Sequence, residues 1–193
     1  MSDDPAPLAA RATALKQAFA EKGLLPDGFV EDFTRHAEET WISHNGARMV
    51  ARAWTDGPFR ARLLADATAA AREMGFELPK HHRHLVALEN TPDIHNVIVC
   101  TQCSCTAFTI IGGAPDWYKD LDYRARVVRQ ARSVLTEMGL ALPAATEIRV
   151  WDTSADTRYM VLPLQPARTL GWTAEALSAI VTQDAMIGVA DLR

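Results

Sequence analysis

The whole cysteine complement of this chain sits in one short segment. Cys100, Cys103 and Cys105 fall within "VCTQCSCTAF", and none of the other residues among the 193 is a cysteine. An odd number of thiols at adjacent spacing makes a poor disulfide framework. The apolar run "NVIV" leads straight into the segment. A fold of this chain must therefore let a buried strand deliver three sulfurs into a single loop. In a reducing compartment such clusters more often serve metal binding or catalysis than stapling.

The surrounding composition narrows the setting. Hydrophobic residues make up 48%, enough for a sizeable core. A formal net charge of −4 argues against nucleic acid as the main partner. The basic run "DYRARVVRQAR" places Arg124, Arg126, Arg129 and Arg132 on more than one helical face, which reads as a solvated or partner-facing surface. The N-terminal "MSDDPAPLAA" lacks the apolar run of a signal peptide. No stretch approaches the ~18 apolar residues of a membrane span. A cytoplasmic location is the expectation.

Periodicity divides the chain at about residue 75. Leu8, Ala12, Leu15 and Phe19 recur at helical spacing, and "FVEDFTRHAEETW" gives a second amphipathic helix. "SHNG" reads as a turn and "ARMVARAW" as a short helix. Asp56 is a candidate N-cap, with Pro58 in the first turn of a helix running to Gly75. Residues 1–75 thus read as a helical N-terminal region, part of it an arm lying on its own domain or on a partner. Residues 76–193 read as α+β. "HLVALE", "NVIVC", "EIRVWD" and "RYMVLPL" are strands. "PDWYKDLDYRARVVRQARSVLTEMG" is a short helix followed by a longer one, Thr173 caps "AEALSAIVTQ", and "MIGVAD" closes as a short strand. The expected architecture is a helical arm followed by a layered α-β-β-α domain.

Three chemistries fit C-x-x-C-x-C. A structural zinc site wants four ligands, and His81, His82, His84 and His95 are candidates for the fourth. A redox pair fits less well, because the motif does not open a helix after a strand. The third uses the backbone. With Cys103 and Cys105 both bound, the amide nitrogens of Ser104 and Cys105 are forced close to the ion. A trivalent metal could deprotonate them. Three sulfurs and two nitrogens leave one octahedral position for Lewis-acid catalysis.

"VCTQCSC" resembles the metal claw of nitrile hydratase α subunits. "NGARMVARAWTDGPFRARLLADATAA", "LENTPDIHNVIVC", "WYKDLDYRARVVRQAR", "EIRVWDTSADTRYMVLPLQPA" and "DAMIGVA" resemble the same family, so the likeness spans nearly the whole chain. The resemblance implies hydration of a nitrile to the amide at a non-corrin, non-haem Co(III) or Fe(III) centre. Cys100, Cys103 and Cys105 would supply the sulfurs, with Cys100 axial, and Ser104 and Cys105 the amide nitrogens. Cys103 would become a sulfinate and Cys105 a sulfenate. Cys105, Ser104 and Arg158 would be the catalytic residues, with the Cys105 oxygen as nucleophile or general base. Thr101, after the first cysteine, favours cobalt over iron. The bound ion would carry a net charge of about −2, which needs nearby cations. Arg158 matches one family arginine. The others come from a β chain, so the implied partners are one or more β-type subunits, together with a metallochaperone or activator. The thiocyanate hydrolase metal subunit shares this claw and is the alternative enzyme; a zinc-stabilised interaction module is the non-enzymatic one.

The chain departs from the family pattern in places. Gln102 stands where the family carries leucine. "TAFTIIGGAPDWYK" replaces an aromatic- and proline-rich stretch, and Gly112 and Gly113 leave more room there. A bulky heteroaromatic or nucleoside nitrile becomes a plausible substrate. His81 occupies a position where some members carry glutamine, and a surface role suits the "HHRH" cluster better. Trp117 and Tyr118 read as packing residues, and Trp151 and Tyr159 as core.

Overall fold

The computed structural model describes residues 7–80 and 84–192. His81 and His82 lie outside the described residues. Two compact units are present, with the boundary between Glu38 and Glu39. The first holds helix α1 (Leu8–Glu21) and most of α2 (Phe29–Glu39). Neither helix buries a residue. Phe29 and Phe33 stack with ring centroids 6.3 Å apart, and Lys16 pairs with Glu31. Leu8, Leu15, Phe29 and Phe33 stay exposed. Such helices gain little from packing within their own unit.

The second unit begins with α3 (Ser43–Thr55), α4 (Gly57–Ala65) and α5 (Ala67–Glu73). These three helices belong to the same compact unit as the strands. "SHNG" is not a turn but the start of α3. Asn45 donates to the Thr40 carbonyl at 2.7 Å and to the Thr109 carbonyl at 3.0 Å. A Cβ on Gly46 would lie 3.0 Å from the Ile110 oxygen, so this glycine serves helix packing. Asp56 caps α4, accepting from the Phe59 amide at 2.9 Å. The single helix expected to Gly75 is two. Asp66 breaks it by accepting from the Ala69 amide at 2.9 Å, which restarts the helix as α5.

The strands are β1 (His84–Glu89), β2 (Ile94–Val99), β3 (Glu147–Asp152) and β4 (Thr157–Leu162). They form two parallel pairs, β1 with β4 and β2 with β3. Parallel partners need a long crossover. Between β2 and β3 that crossover contains the cysteine loop, α6 (Phe108–Ile111), α7 (Asp116–Lys119) and α8 (Leu121–Glu137). Helices α4 and α5 pack on β1, while α8 packs on β2 and β3. The two strand pairs touch through β2, which meets both β1 and β4. The domain is thus mixed helix and strand, with strands between helices. Phe59, Leu63, Ile98, Met160 and Leu162 are among its most buried side chains. Each contributes about 1.5–3 kcal/mol through removal from water.

After α9 (Ala174–Ile180), capped by Thr173, comes α10 (Gln183–Ile187). The expected closing strand "MIGVAD" is absent because Thr182 caps a helix through the Ala185 amide and Gly188 ends it in the left-handed conformation, at φ 93°. Gly188 also lies against β2. Its carbonyl accepts from His95 Nε2 at 2.8 Å, so Nδ1 of that ring accepts from Asn90 Nδ2 at 3.2 Å. Asn96 joins the network, receiving Trp151 Nε1 at 2.8 Å.

Two predictions follow from this latch. A Cβ at Gly188 would sit 2.0 Å from the Asn96 oxygen. Gly188→Ala should cost about 3 kcal/mol or more in urea unfolding. Burial holds the His95 imidazole below its usual value. Its neutral form stabilises the fold fully above the unfolded value of about 6.5, and that contribution falls as pH drops below it. His95→Gln should flatten this acid limb in melts followed against pH.

Candidate metal centre

The parallel register puts the ends of β2 and β3 side by side. Val99 faces Asp152, and the Thr153 amide extends the ladder to the Val99 carbonyl at 2.8 Å. Cys100, the next residue, is buried at 2% exposure, Cys105 is half-buried and Cys103 is exposed. All three thiols are free. The Cys100 and Cys103 sulfurs lie 3.2 Å apart, those of Cys103 and Cys105 2.7 Å apart, and all three fall within 4.8 Å of one another.

Alternate residues of the loop are tied down by other elements. Asp152 accepts the Thr101 amide at 2.9 Å and the Thr101 hydroxyl at 2.5 Å. Arg124 of α8 donates through Nη1 to the Cys103 carbonyl at 3.1 Å. Tyr118 of α7 donates to the Cys105 carbonyl at 3.2 Å. Burial pushes the Tyr118 phenol well above its ordinary value, so it stays a donor. The sequence reading made Tyr118 a packing residue and Arg124 part of a solvated face. Tyr118 is fully buried and does pack, against Trp117 and Tyr123, but both side chains also hold the loop. Asp152 went unnoticed. Nothing in a linear sequence reveals that it faces Val99.

The thiols differ in acidity for a local reason. The hydrogen bond from Cys105 holds Cys103 below the usual thiol range. Burial, with Cys103 beside it, pushes Cys105 up to about 12. Cys105 therefore resists becoming a thiolate on its own, and a bound cation would remove that resistance. Several observations fit a trivalent ion. Among the described residues neither the Ser104 nor the Cys105 amide donates to a backbone carbonyl. The Cys105 amide instead faces the Cys103 sulfur. Among the described residues Arg124 Nε and Arg158 Nε are buried without an acceptor, so donors remain available for an anionic complex.

Arg158 lies at the start of β4, opposite Leu85, and is 5% exposed. Its Nη1 donates to the Ser154 and Thr157 carbonyls. With Ser104, Cys105, Phe108, Gly113 and Lys119 it lines a cavity of about 440 Å³ beside the sulfurs. Gln102 is exposed and does not line it. Among the described residues no histidine joins the sulfur cluster. His95 is committed to Asn90 and Gly188, and His84 sits exposed at the head of β1.

Fold and site together define a chain with a three-cysteine metal-binding group on the crossover between parallel strands. The family model described as nitrile hydratase, alpha chain, matches residues 6–190. The chain is 45% identical to a nitrile hydratase subunit alpha from Rhodococcus sp, over 96% of this chain and 94% of that protein. It is 41% identical to a cobalt-containing nitrile hydratase subunit alpha from Pseudonocardia thermophila, covering 94% and 89%. A double mutant of the Fe-type nitrile hydratase from Comamonas testosteroni Ni1 superposes with a TM-score of 0.94 at 54% identity, covering 98% and 92%. The thiocyanate hydrolase subunit gamma of Thiobacillus thioparus is 36% identical over 92% of this chain and 76% of its own length. The chain belongs to the nitrile hydratase alpha chain family, whose members are the catalytic subunit of that enzyme.

The Asp152 anchor makes a local prediction. Asp152→Ala should raise amide hydrogen exchange across residues 101–105 by at least about tenfold, because the Thr101 amide loses its acceptor. Global stability should fall by only about 1 kcal/mol, since the carboxylate is exposed.

Proposed function

We propose that this chain holds a trivalent non-corrin, non-haem metal and, with a β-type partner, hydrates a nitrile to its amide. The observation that carries the reading is the convergence of three free sulfurs within 4.8 Å of one another, with Cys105 on the wall of a cavity of about 440 Å³. Cys100, Cys103 and Cys105 would bind through sulfur, and Ser104 and Cys105 through their amide nitrogens. The metal, when bound, supplies Lewis acidity toward the nitrile or the attacking water.

The chain's own residues do the rest. Cys105 lines the cavity, and as a sulfenate its oxygen would attack or accept a proton from water. Cys103, as a sulfinate, would accept hydrogen bonds from partner arginines on its exposed side. That exposure also leaves the loop open to a metallochaperone. Arg158 offsets negative charge on both Cys103 and Cys105. Phe108, braced edge-on by Trp41 at 5.2 Å, offers an aromatic wall, and Gly113 leaves space beside it. The volume suits a heteroaromatic nitrile. A nucleoside nitrile, as taken by toyocamycin nitrile hydratase, is the bulkier substrate class of this reading.

For the metal, Thr101 supports cobalt, as do the cobalt-containing relatives. The Fe-type Comamonas structure supports iron. A second reading, hydrolysis of thiocyanate, draws on the two cations Lys119 and Arg158 at the cavity and on the Thiobacillus relative.

The test is chemical analysis of the complex co-expressed with its partner. Elemental analysis should find about one cobalt or iron per chain, and intact mass should rise by about 48 Da for three oxygens. Cys103→Ser should abolish both. Assays should find turnover of heteroaromatic nitriles. Turnover of thiocyanate alone would favour the second reading, and zinc with unmodified cysteines would contradict both.

A further inference from the structure

The two outside donors on the claw hold different peptide groups. The Cys105 carbonyl, taken by Tyr118, belongs to the peptide joining Cys105 to Thr106. The Cys103 carbonyl, taken by Arg124, belongs to the peptide joining Cys103 to Ser104. The nitrogen of that second peptide is one of the donors assigned above. We infer that Arg124 is a positioning residue that aims the Ser104 amide nitrogen at the metal. The inference rests on the proposed ligand set.

The argument is geometric. A trans peptide is planar, and its C=O and N–H point in opposite directions. No cis peptide occurs among the described residues. Drawing the Cys103 oxygen toward α8 therefore turns the Ser104 N–H away from α8. Among the described residues no backbone carbonyl accepts from that amide, so no competing bond sets its direction. The fork of a guanidinium is rigid and stays charged at any working pH. One point of attachment on the oxygen thus restrains the nitrogen across the same plane.

The rest of α8 shows that this contact is particular to one side chain. Arg126 is tied to Asp122 and Glu137. Arg132 donates to the carbonyls of Leu142, Pro143 and Thr146. Arg124 reaches the claw, and its buried Nε has no acceptor. Among the described residues no carboxylate pairs with its guanidinium, whose bond goes to the Cys103 carbonyl, so its charge remains available beside the loop. Groups that orient metal ligands typically cost about 10–100-fold in affinity when removed.

The experiment uses the full complex carrying Arg124→Gln, Arg124→Lys, or Arg126→Gln as a control on the same helix. Metal per chain is measured after chelator challenge, together with the visible sulfur-to-metal absorption band and the melting midpoint. Arg124→Gln should retain about tenfold less metal than wild type and shift the band. Arg124→Lys should fall between the two. Arg126→Gln should keep both metal and band while losing its own ion pairs. Wild-type retention and an unshifted band in Arg124→Gln, whatever its melting midpoint, would overturn the inference. Should that variant fail to assemble, the lysine variant decides: lowered retention supports positioning and wild-type retention overturns it. A wild-type complex without trivalent metal would instead bring down the functional reading, and the inference with it.

Discussion

The claw depends on the register of one parallel strand pair. With Val99 opposite Asp152, the carboxylate at the end of β3 meets the backbone that leaves β2. Slipping the pair by one residue would present Trp151 or Thr153 instead and reverse every facing side chain. The register is firm because five of the six β2 residues are buried. Two of those five are polar and have fixed partners: His95 is held by Asn90 and the Gly188 carbonyl, and Asn96 accepts from Trp151 across the pair, so a slip would orphan both. Buried polar bonds together with the apolar Val97, Ile98 and Val99 thus supply the stiffness on which the loop rests.

Charge is the second constraint. Burial, with Cys103 beside it, holds the Cys105 thiol against ionising unaided. A cation bound by these sulfurs would reverse that preference, and ionised amides, where they join it as proposed, would leave the complex anionic. The chain offers Arg158 and Arg124 from two different elements, each with a buried Nε left over. Cys103 faces outward, where this chain supplies no further arginine contact among the described residues. A partner surface would complete the charge balance, consistent with a family of multi-subunit enzymes. Helices α1 and α2, which bury no residue and leave Leu8, Leu15, Phe29 and Phe33 exposed, have the same character of incompleteness.

What could be read from the sequence follows from the range of the interactions. Three thiols in six residues declare a metal site, because both spacing and chemistry are local. Strands of β-branched residues and the caps at Asp56 and Thr173 are local too. The errors arose where two local codes competed. Asp66 could sit inside a helix or cap a new one, and its bond to Ala69 decided for the cap. "MIGVAD" is short and apolar, so period alone could not separate strand from helix; Thr182 and the left-handed Gly188 did. "SHNG" carries turn residues, but Gly46 is there for close approach to α6. The loop's anchors were out of reach altogether. Tyr118, Arg124 and Asp152 act across 13, 21 and 51 residues, and only the assembled fold brings them to the claw. Arg158 entered through family resemblance rather than through any pattern in its own strand.

The coordination sphere proposed for Cys100, Cys103, Ser104 and Cys105 mixes sulfur with amide nitrogen. X-ray absorption at the metal edge of the intact complex reads that sphere itself. The proposed sphere should show a cobalt or iron edge of trivalent character, with both sulfur and light-atom nitrogen scatterers around the ion in near-octahedral arrangement. A zinc edge with a tetrahedral shell of sulfur and imidazole would contradict it.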